Sequence, residues 1–440
     1  MQFVMVAKSQ AEEDEYDIKA NRKLPKPSGV IFSIGQIVKS ALGSGILSAH
    51  VAYMGAGGLT GLVCNILLGL YMLFCLLLLG KSAQILYKRT RIPVLSYPEV
   101  AEAAMYAVPN TKVHHLSKYV RVFMATLIGI ELYGACASYQ LILAGTLKQL
   151  WENIPKVEPG VGTPIQMYLL IVWIPCILIS LIRYLQWLAP FSMLGNAVVA
   201  LCVVVTLYYS FLNNPTMSNL IHFKDIGGVF KFMGMIVFSM SCASQVISIE
   251  NNMKDPTKYS IVLTAGMIGI IVLVSSAGFF GYNAYLEHCI APITLNFPMN
   301  ILPKILKVCI AIMIYITHGL NFWVPFNVTF HYIKKCIREE RHLCWEYILR
   351  PVFVTAITLI AIVFPSIPDL MSFLGCFCLS NLAFIFPNVI YLLVIYERPG
   401  YGILKWKLIR GIILIIIGVI LFVAGTIVSV KNLVGLFGSK

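Results

Sequence analysis

Ionisable side chains are rare in the long apolar runs of this 440-residue sequence, so those that occur there are the first candidates for chemistry. Lys39, His50, Glu131 and His318 all fall within such runs. A charge at mid-bilayer is costly, and groups of this kind pair, line a water-filled path or relay protons. Glu131 is therefore expected to be protonated or paired. Lys39 is a candidate partner, and a structural Glu131–Lys39 tether and a proton relay both stand open. His50 and His318 belong to the residue type that titrates near neutral pH. Hydrogen bonding between packed helices is the commoner use of a buried imidazole. Tyr139 and Asn321 read as polar contacts between helices.

Two stretches are built to hold a small solute. The first is Gly43-Ser44-Gly45, at the midpoint of the apolar run 31–54, with Lys39 one turn earlier. Glycine costs a helix about 1 kcal/mol relative to alanine, so this triplet is a weak point. Backbone that unwinds at membrane depth frees amides and carbonyls, which is tolerated only against protein or a water-filled cavity. Discontinuous helices of this kind hold substrates in secondary transporters. Close helix packing through small residues is the alternative. The second stretch is Ser239–Gln245, which contains Ser241, Cys242 and Ala243 and leads into Glu250-Asn251-Asn252. Its Ser and Cys side chains can satisfy freed backbone groups, so a second break is expected there without glycine.

The elements that would position these residues are transmembrane helices. The sequence is 59% apolar and 12% charged, with a mean hydropathy of +0.83. A soluble domain of this length would carry about a quarter charged residues. Eleven spans are predicted, near 31–54, 58–80, 121–147, 165–184, 187–212, 228–250, 260–284, 301–333, 351–367, 369–396 and 408–430. Most reach the ~20 residues that a helix needs to cross the hydrocarbon core, and 351–367 is at the lower limit. The chain divides into a disordered cytosolic tail at 1–28, a membrane domain at 29–432 and a short extracytosolic tail at 433–440.

Basic residues set the orientation. With the N-terminus in the cytosol, the inner segments hold 24 of the 33 Lys and Arg and the outer segments eight, with Lys39 inside a span. That excess follows the positive-inside rule and also accounts for the net charge of +14 without nucleic acid. Of twelve cysteines only Cys289 falls in an outer loop, which leaves no loop-to-loop disulfide framework. Cys376 and Cys378 lack the further ligands of a metal site. The sequon Asn327-Val328-Thr329 sits in a span, where no glycan can be added. No phosphate loop or metalloprotease signature occurs, so no enzyme activity, cofactor or metal is expected.

Six segments in register resemble the amino acid/auxin permease family, and within it the proton-coupled amino acid transporter branch. They are Lys39-Ser40-Ala41-Leu42-Gly43-Ser44-Gly45-Ile46-Leu47, Leu188-Ala189-Pro190-Phe191-Ser192, and Glu250-Asn251-Asn252-Met253-Lys254-Asp255-Pro256. Gly281-Tyr282, Ile293-Thr294-Leu295-Asn296-Phe297-Pro298 and Phe322-Trp323-Val324-Pro325 complete the set. The resemblance implies a LeuT-type fold, with a 5+5 inverted repeat and one extra helix, and transport of small amino acids, often driven by protons. Departures are specific. Gln36 stands where the branch has a histidine tied to proton coupling, and Ser241-Cys242 replaces a glutamate–glycine pair. His50 replaces a proline, and His318 a tyrosine.

Together these observations lead to a transporter of small neutral amino acids; a substrate sensor with the same fold is the alternative. The substrate carboxylate is expected against the amides of Gly43, Ser44 and Gly45, favoured by the half-helix dipole. Its side chain is expected against Ser241, Cys242 and Ala243, with the Cys242 thiol narrowing the pocket. Gln36 cannot titrate. Coupling either moves to Glu131, Lys39, His318 or His50, or is absent and the protein exchanges substrate. The expected partners are an amino acid, protons and the lipid bilayer of the plasma membrane or of a lysosomal or endosomal membrane.

Overall fold

Within hydrocarbon, a main chain must satisfy its own donors and acceptors, and a helix does so within one segment. The computed structural model describes the chain except residues 1–2, 7–8, 23, 25–26, 42, 155–161, 184–188, 213–220, 336 and 439–440. Lys8, Lys23, Lys26, Leu42, Lys156, Leu188, Cys336 and Lys440, used in the sequence reading, lie outside the described residues. The long apolar runs among the described residues are helical.

Two short helices, α1 (Gln10–Glu15) and α2 (Ile18–Asn21), precede α3 (Val30–Ala41) and α4 (Ser44–Ala56). Next come α5 (Gly58–Thr90), α6 (Tyr97–Tyr106) and α7 (Thr111–Glu152), then α8 (Ile165–Ser180) and α9 (Ala189–Leu212). Helices α10 (Ile226–Met240) and α11 (Ala243–Asn252) are followed by α12 (Tyr259–Tyr285), α13 (Ile301–Lys334) and α14 (His342–Val363). The last three are α15 (Ile367–Leu374), joined through a π-helical stretch at Gly375–Ile385 to α16 (Phe386–Val394), and α17 (Trp406–Gly438). Among the described residues, eight helical stretches are long and apolar enough to span a membrane, or nine with the bent pair α3/α4, and α8 and part of α9 are shorter apolar helices.

Burial sorts these helices. Every residue from Ser44 to Tyr53 in α4 is buried, and 72% of the most apolar window of Ile226–Asn252 is buried, against 22% for the stretch containing α17. Both interrupted helices therefore run through the centre, and α17 lies at the edge with an isoleucine-rich face turned outward.

Two expectations need correction. The segment 81–121, expected as an inner loop between the predicted spans 58–80 and 121–147, is largely helical: α5 continues to Thr90, α6 is helical, and α7 starts at Thr111. Ser96 explains the start of α6, because its N–H and hydroxyl donate to Glu99 Oε2 at 2.9 and 2.7 Å, a capping arrangement that fixes the first turn. Arg121 then ties α7 to Glu99 and Glu102 at 3.2 and 3.0 Å.

The described part of the N-terminal tail is likewise ordered rather than disordered. Glu13 meets Arg89 at 2.9 Å, and Arg22 meets Glu250 at 2.9 Å, with all four side chains no more than 4% exposed. The Arg22 guanidinium also donates to the carbonyls of Pro93 (2.7 Å) and Glu250 (2.9 Å) and lies over the Tyr87 ring. Ser28 N–H donates to Asn252 O at 2.8 Å, so the tail is bonded to the end of α11. Tail charges that look solvated in sequence are held by partners far along the chain, and removing one member of a buried pair costs about 3–5 kcal/mol.

Candidate functional site

The site is built where α4 begins and α10 ends. Helix α3 stops at Ala41, α4 restarts at Ser44 with Gly43 as its cap, and the two axes are bent by 53°. Gly43 N–H is bonded to Ala41 O at 2.9 Å. The next amides, of Ser44 and Gly45, open α4 and have no intrahelical acceptor. In the second interrupted helix, Ser241 is extended (φ −72°, ψ 122°) and Cys242 caps α11 without a side-chain bond. A Cβ on Gly45 would lie 2.5 Å from Ser239 Cα, so the first turn of α4 rests directly on the last turn of α10.

Two connected cavities follow from this contact. A vestibule of about 320 Å³ is lined by Gln36 and Lys39 of α3, Ser248 and Asn252 of α11, and residues of α7 and α13. Asn252 is also the acceptor for tail residue Ser28, so the vestibule lies toward the tail face. Deeper in, a recess of about 30 Å³ is lined by Gly43, Ser44, Gly45, Glu131 and Ser241. By itself the recess holds one or two waters. Seven residues, Tyr139 and Asn321 among them, line both spaces.

Unpartnered polar atoms mark the recess as a binding surface. Glu131 Oε2 and Ser241 Oγ are buried and accept or donate no hydrogen bond. Buried polar groups are ordinarily satisfied, so an orphaned pair beside a cavity calls for a polar guest. Asn321 Nδ2 donates to the Tyr139 hydroxyl at 3.1 Å, and a Cβ on Gly43 would meet that hydroxyl at 2.8 Å. The tyrosine thus closes the side of the recess over the first break.

The structure gathers Gly43, Ser44, Gly45, Ser241 and Glu131 at one point. Others fall elsewhere. Cys242 Sγ points at Met267 Sδ, 3.7 Å away, and neither Cys242 nor the fully buried Ala243 lines a cavity. The thiol does not narrow the pocket. Lys39 lines the vestibule rather than the recess, and among the described residues it makes no ion pair with Glu131. His318 is fully buried with Nε2 3.2 Å from Gln140 Nε2, and His50 Nε2 is 2.9 Å from Ile290 O and 3.2 Å from Asn296 Nδ2. Both imidazoles are packed away from the two cavities.

Sequence reasoning treated Tyr139 and Asn321 as ordinary helix contacts and so missed their place in the site. The available signal was spacing: Glu131, Ala135 and Tyr139 recur every four residues and so share one face of α7. All three line the recess.

Comparison with known proteins places this geometry. The family model described as transmembrane amino acid transporter protein matches residues 26–431. The proton-coupled amino acid transporter-like protein pathetic of Drosophila melanogaster is 31% identical over 438 residues, covering 96% of this chain and 88% of that protein. The amino acid transporter AVT3B of Arabidopsis thaliana is 24% identical over 380 residues, covering 83% and 84%. In fold, the chain is similar to Mhp1, a nucleobase-cation-symport-1 family transporter, in a closed conformation with bromovinylhydantoin bound. That match has a TM-score of 0.55 at 11% identity and covers 94% of this chain and 92% of that one. An inward-facing conformation of Mhp1 matches with a TM-score of 0.51 at 12% identity, covering 93% and 90%.

Proposed function

The chain belongs to the transmembrane amino acid transporter family, and from that premise we propose that it carries small neutral amino acids through the two-break cavity, with Glu131 as the proton-coupling group. It is a multi-pass membrane protein. The observation that carries the reading is the recess, where the start of α4 and the end of α10 meet beside the unpartnered Glu131 Oε2 and Ser241 Oγ.

In this reading the substrate carboxylate binds the free amides of Ser44 and Gly45, which the dipole of α4 favours. Gly43 contributes openness rather than its amide, which Ala41 already holds. The substrate side chain faces Ser241 and reaches toward the vestibule. Glu131 lies within the same recess, so the proton it holds and the substrate share one compartment. A carboxyl at this depth without a cationic partner is cheaper neutral than charged, which suits a group that takes and releases a proton. Tyr139, which closes the side of the recess over the first break, supports small substrates of the glycine, alanine or proline class.

The wider architecture belongs to the same proposal. Counting α8 and α9 as spans with the nine above brings the total to eleven, arranged as a 5+5 inverted repeat plus α17. The boundaries are a tail at 1–28, a transporter domain at 29–432 and an extracytosolic end at 433–440. The tail and the vestibule mouth then face the cytosol, in a plasma or lysosomal/endosomal membrane.

Flux in proteoliposomes with an imposed pH gradient tests the proposal. Saturable, gradient-driven accumulation of glycine, alanine or proline is the expected result. Flux that ignores the gradient would assign Glu131 a structural role and make the protein an exchanger. Binding without flux would make it a sensor.

A further inference from the structure

At the start of α17 the tail face carries a group of basic residues that the transport reading does not use. It is the tail face because Arg398, in the turn before α17, accepts a bond from Arg89 through its carbonyl and approaches Glu13 at 3.5 Å. At this corner Arg89 and Arg398 share Glu13, and Lys88 meets Asp14. Lys405, Lys407 and Arg410 form no ion pair among the described residues.

Arg410 is set apart by its surroundings. Its guanidinium lies 5.0 Å from the Phe74 ring centre, 5.8 Å from Tyr391 and 4.7 Å from Trp406. These rings come from α5, α16 and α17, so the cation sits in a cleft between three helices. Its Nε is buried with no acceptor. Ring faces attract the charge but supply no hydrogen-bond acceptor for a planar fork of N–H donors. The preceding turn is distinctive too. Leu404 and Lys405 both adopt left-handed backbone (φ 55° and 53°), a conformation that non-glycine residues rarely take. That turn holds Ile403 and Leu404 outward at 86% and 88% exposure, beside two lysines and Trp406. Aliphatic tips, an aromatic anchor and basic heads at one level match the boundary between acyl chains and headgroups.

We propose that this cleft binds the headgroup of an anionic glycerophospholipid from the leaflet that meets the tail face. The phosphate takes the Arg410 guanidinium as a forked pair, and Lys405 and Lys407 answer the second negative charge of the headgroup. Acyl chains lie along the outward isoleucines of α17, including Ile409 and Ile413, both more than half exposed. Charge complementarity selects the occupant, because lipid headgroups supply the anions at this depth. The site is independent of the substrate cavity, so its failure leaves the transport reading intact.

Native mass spectrometry of detergent-purified full-length protein, titrated with equal phosphatidylserine and phosphatidylcholine, tests the proposal. The wild type is expected to retain phosphatidylserine roughly fivefold over phosphatidylcholine, which corresponds to the ~1 kcal/mol that one basic residue contributes near an anionic surface. Both lipids carry the phosphate, so Arg410→Gln should lower the retention of both severalfold, with Arg410→Lys keeping part of it, while Lys405→Gln combined with Lys407→Gln should bring the ratio toward one. Lys431→Gln, at the far end of α17, should not change it. No preference in the wild type would overturn the proposal. Unchanged retention of both lipids in a normally melting Arg410→Gln protein would do the same, as would an unchanged ratio in the Lys405→Gln/Lys407→Gln protein. Displacement of the lipid by millimolar glycerol phosphate would also overturn it, because the site would then recognise soluble phosphate.

Discussion

The two interrupted helices reach a similar end by different chemistry. The first break carries Gly43 and Gly45, bends its helices by 53°, and separates α3 from α4 completely. The second has Ser241 and Cys242, no glycine, and leaves α10 and α11 as parts of one 27-residue apolar stretch. At its described residues, neither break needs the left-handed backbone that only glycine adopts freely, since none of those residues has a positive φ. The glycines therefore serve approach rather than conformation. Gly45 lets α4 touch Ser239, and Gly43 makes room for Tyr139. One break is specified by what is missing from its side chains, and the other by side chains that stay.

This contrast predicts the most severe substitution. Gly45→Val would drive side-chain atoms into the backbone of Ser239, which cannot rotate aside as a flexible side-chain tip would. Overpacking of a tight core costs about 1–3 kcal/mol and more where backbone must move. A loss of folded protein in size-exclusion and thermal-melt measurements is expected. A folded Gly45→Val protein with normal stability would show that the two breaks do not depend on this contact.

Next in size is Glu131→Gln, which keeps shape and removes titration. Exchange of labelled substrate across the membrane should persist, and accumulation driven by a pH gradient should vanish. If accumulation survives, the proton travels by another residue and the recess holds only substrate.

How far the sequence discloses this arrangement depends on the range of the interaction. Hydropathy runs show where the membrane helices lie because a helix long enough to span is a local property of ~20 residues. Gly43-Ser44-Gly45 is visible for the same reason. Pairings across the chain are not. Arg22–Glu250 joins residues 228 apart, so the sequence implies a disordered tail whose described part is docked. The direction of Cys242 was equally hidden, since a one-residue rotation at a helix start decides whether a side chain meets the cavity or Met267. Glu131 was legible as costly and without a soluble-core excuse, but its separation from Lys39 was not.

Within the second break, Ser241→Ala should weaken substrate without unfolding the protein. Its hydroxyl has no partner in the empty recess, so its removal costs the fold little. A lost hydrogen bond to bound substrate is worth about 0.5–1.5 kcal/mol, or roughly two- to twelvefold in affinity. At the first break, Gly43→Ala should do less. Its methyl meets the free end of Tyr139, which can yield by a few tenths of an ångström at the expense of the bond from Asn321. A modest rise in KM with little change in kcat is expected from transport kinetics. An equal or larger effect than Ser241→Ala would make Tyr139 a direct substrate contact.

Cys242→Gly is the smallest expected change and the sharpest separation of the two views of the second break. If the thiol walled the pocket, its removal would admit leucine-sized side chains. In the structure the thiol lies on the far side of the chain, 3.7 Å from Met267 Sδ and outside both cavities. Removing it leaves a void against Met267, which costs stability by cavity formation. At the cap position of α11 glycine is itself well tolerated, so the void is the main cost. The Tm should fall slightly while the ratio of alanine to leucine transport stays where it was. Selection by size would then rest with Tyr139, Ser241 and the narrow recess. A variant that gains leucine transport would instead require Cys242 to turn toward the cavity during the transport cycle.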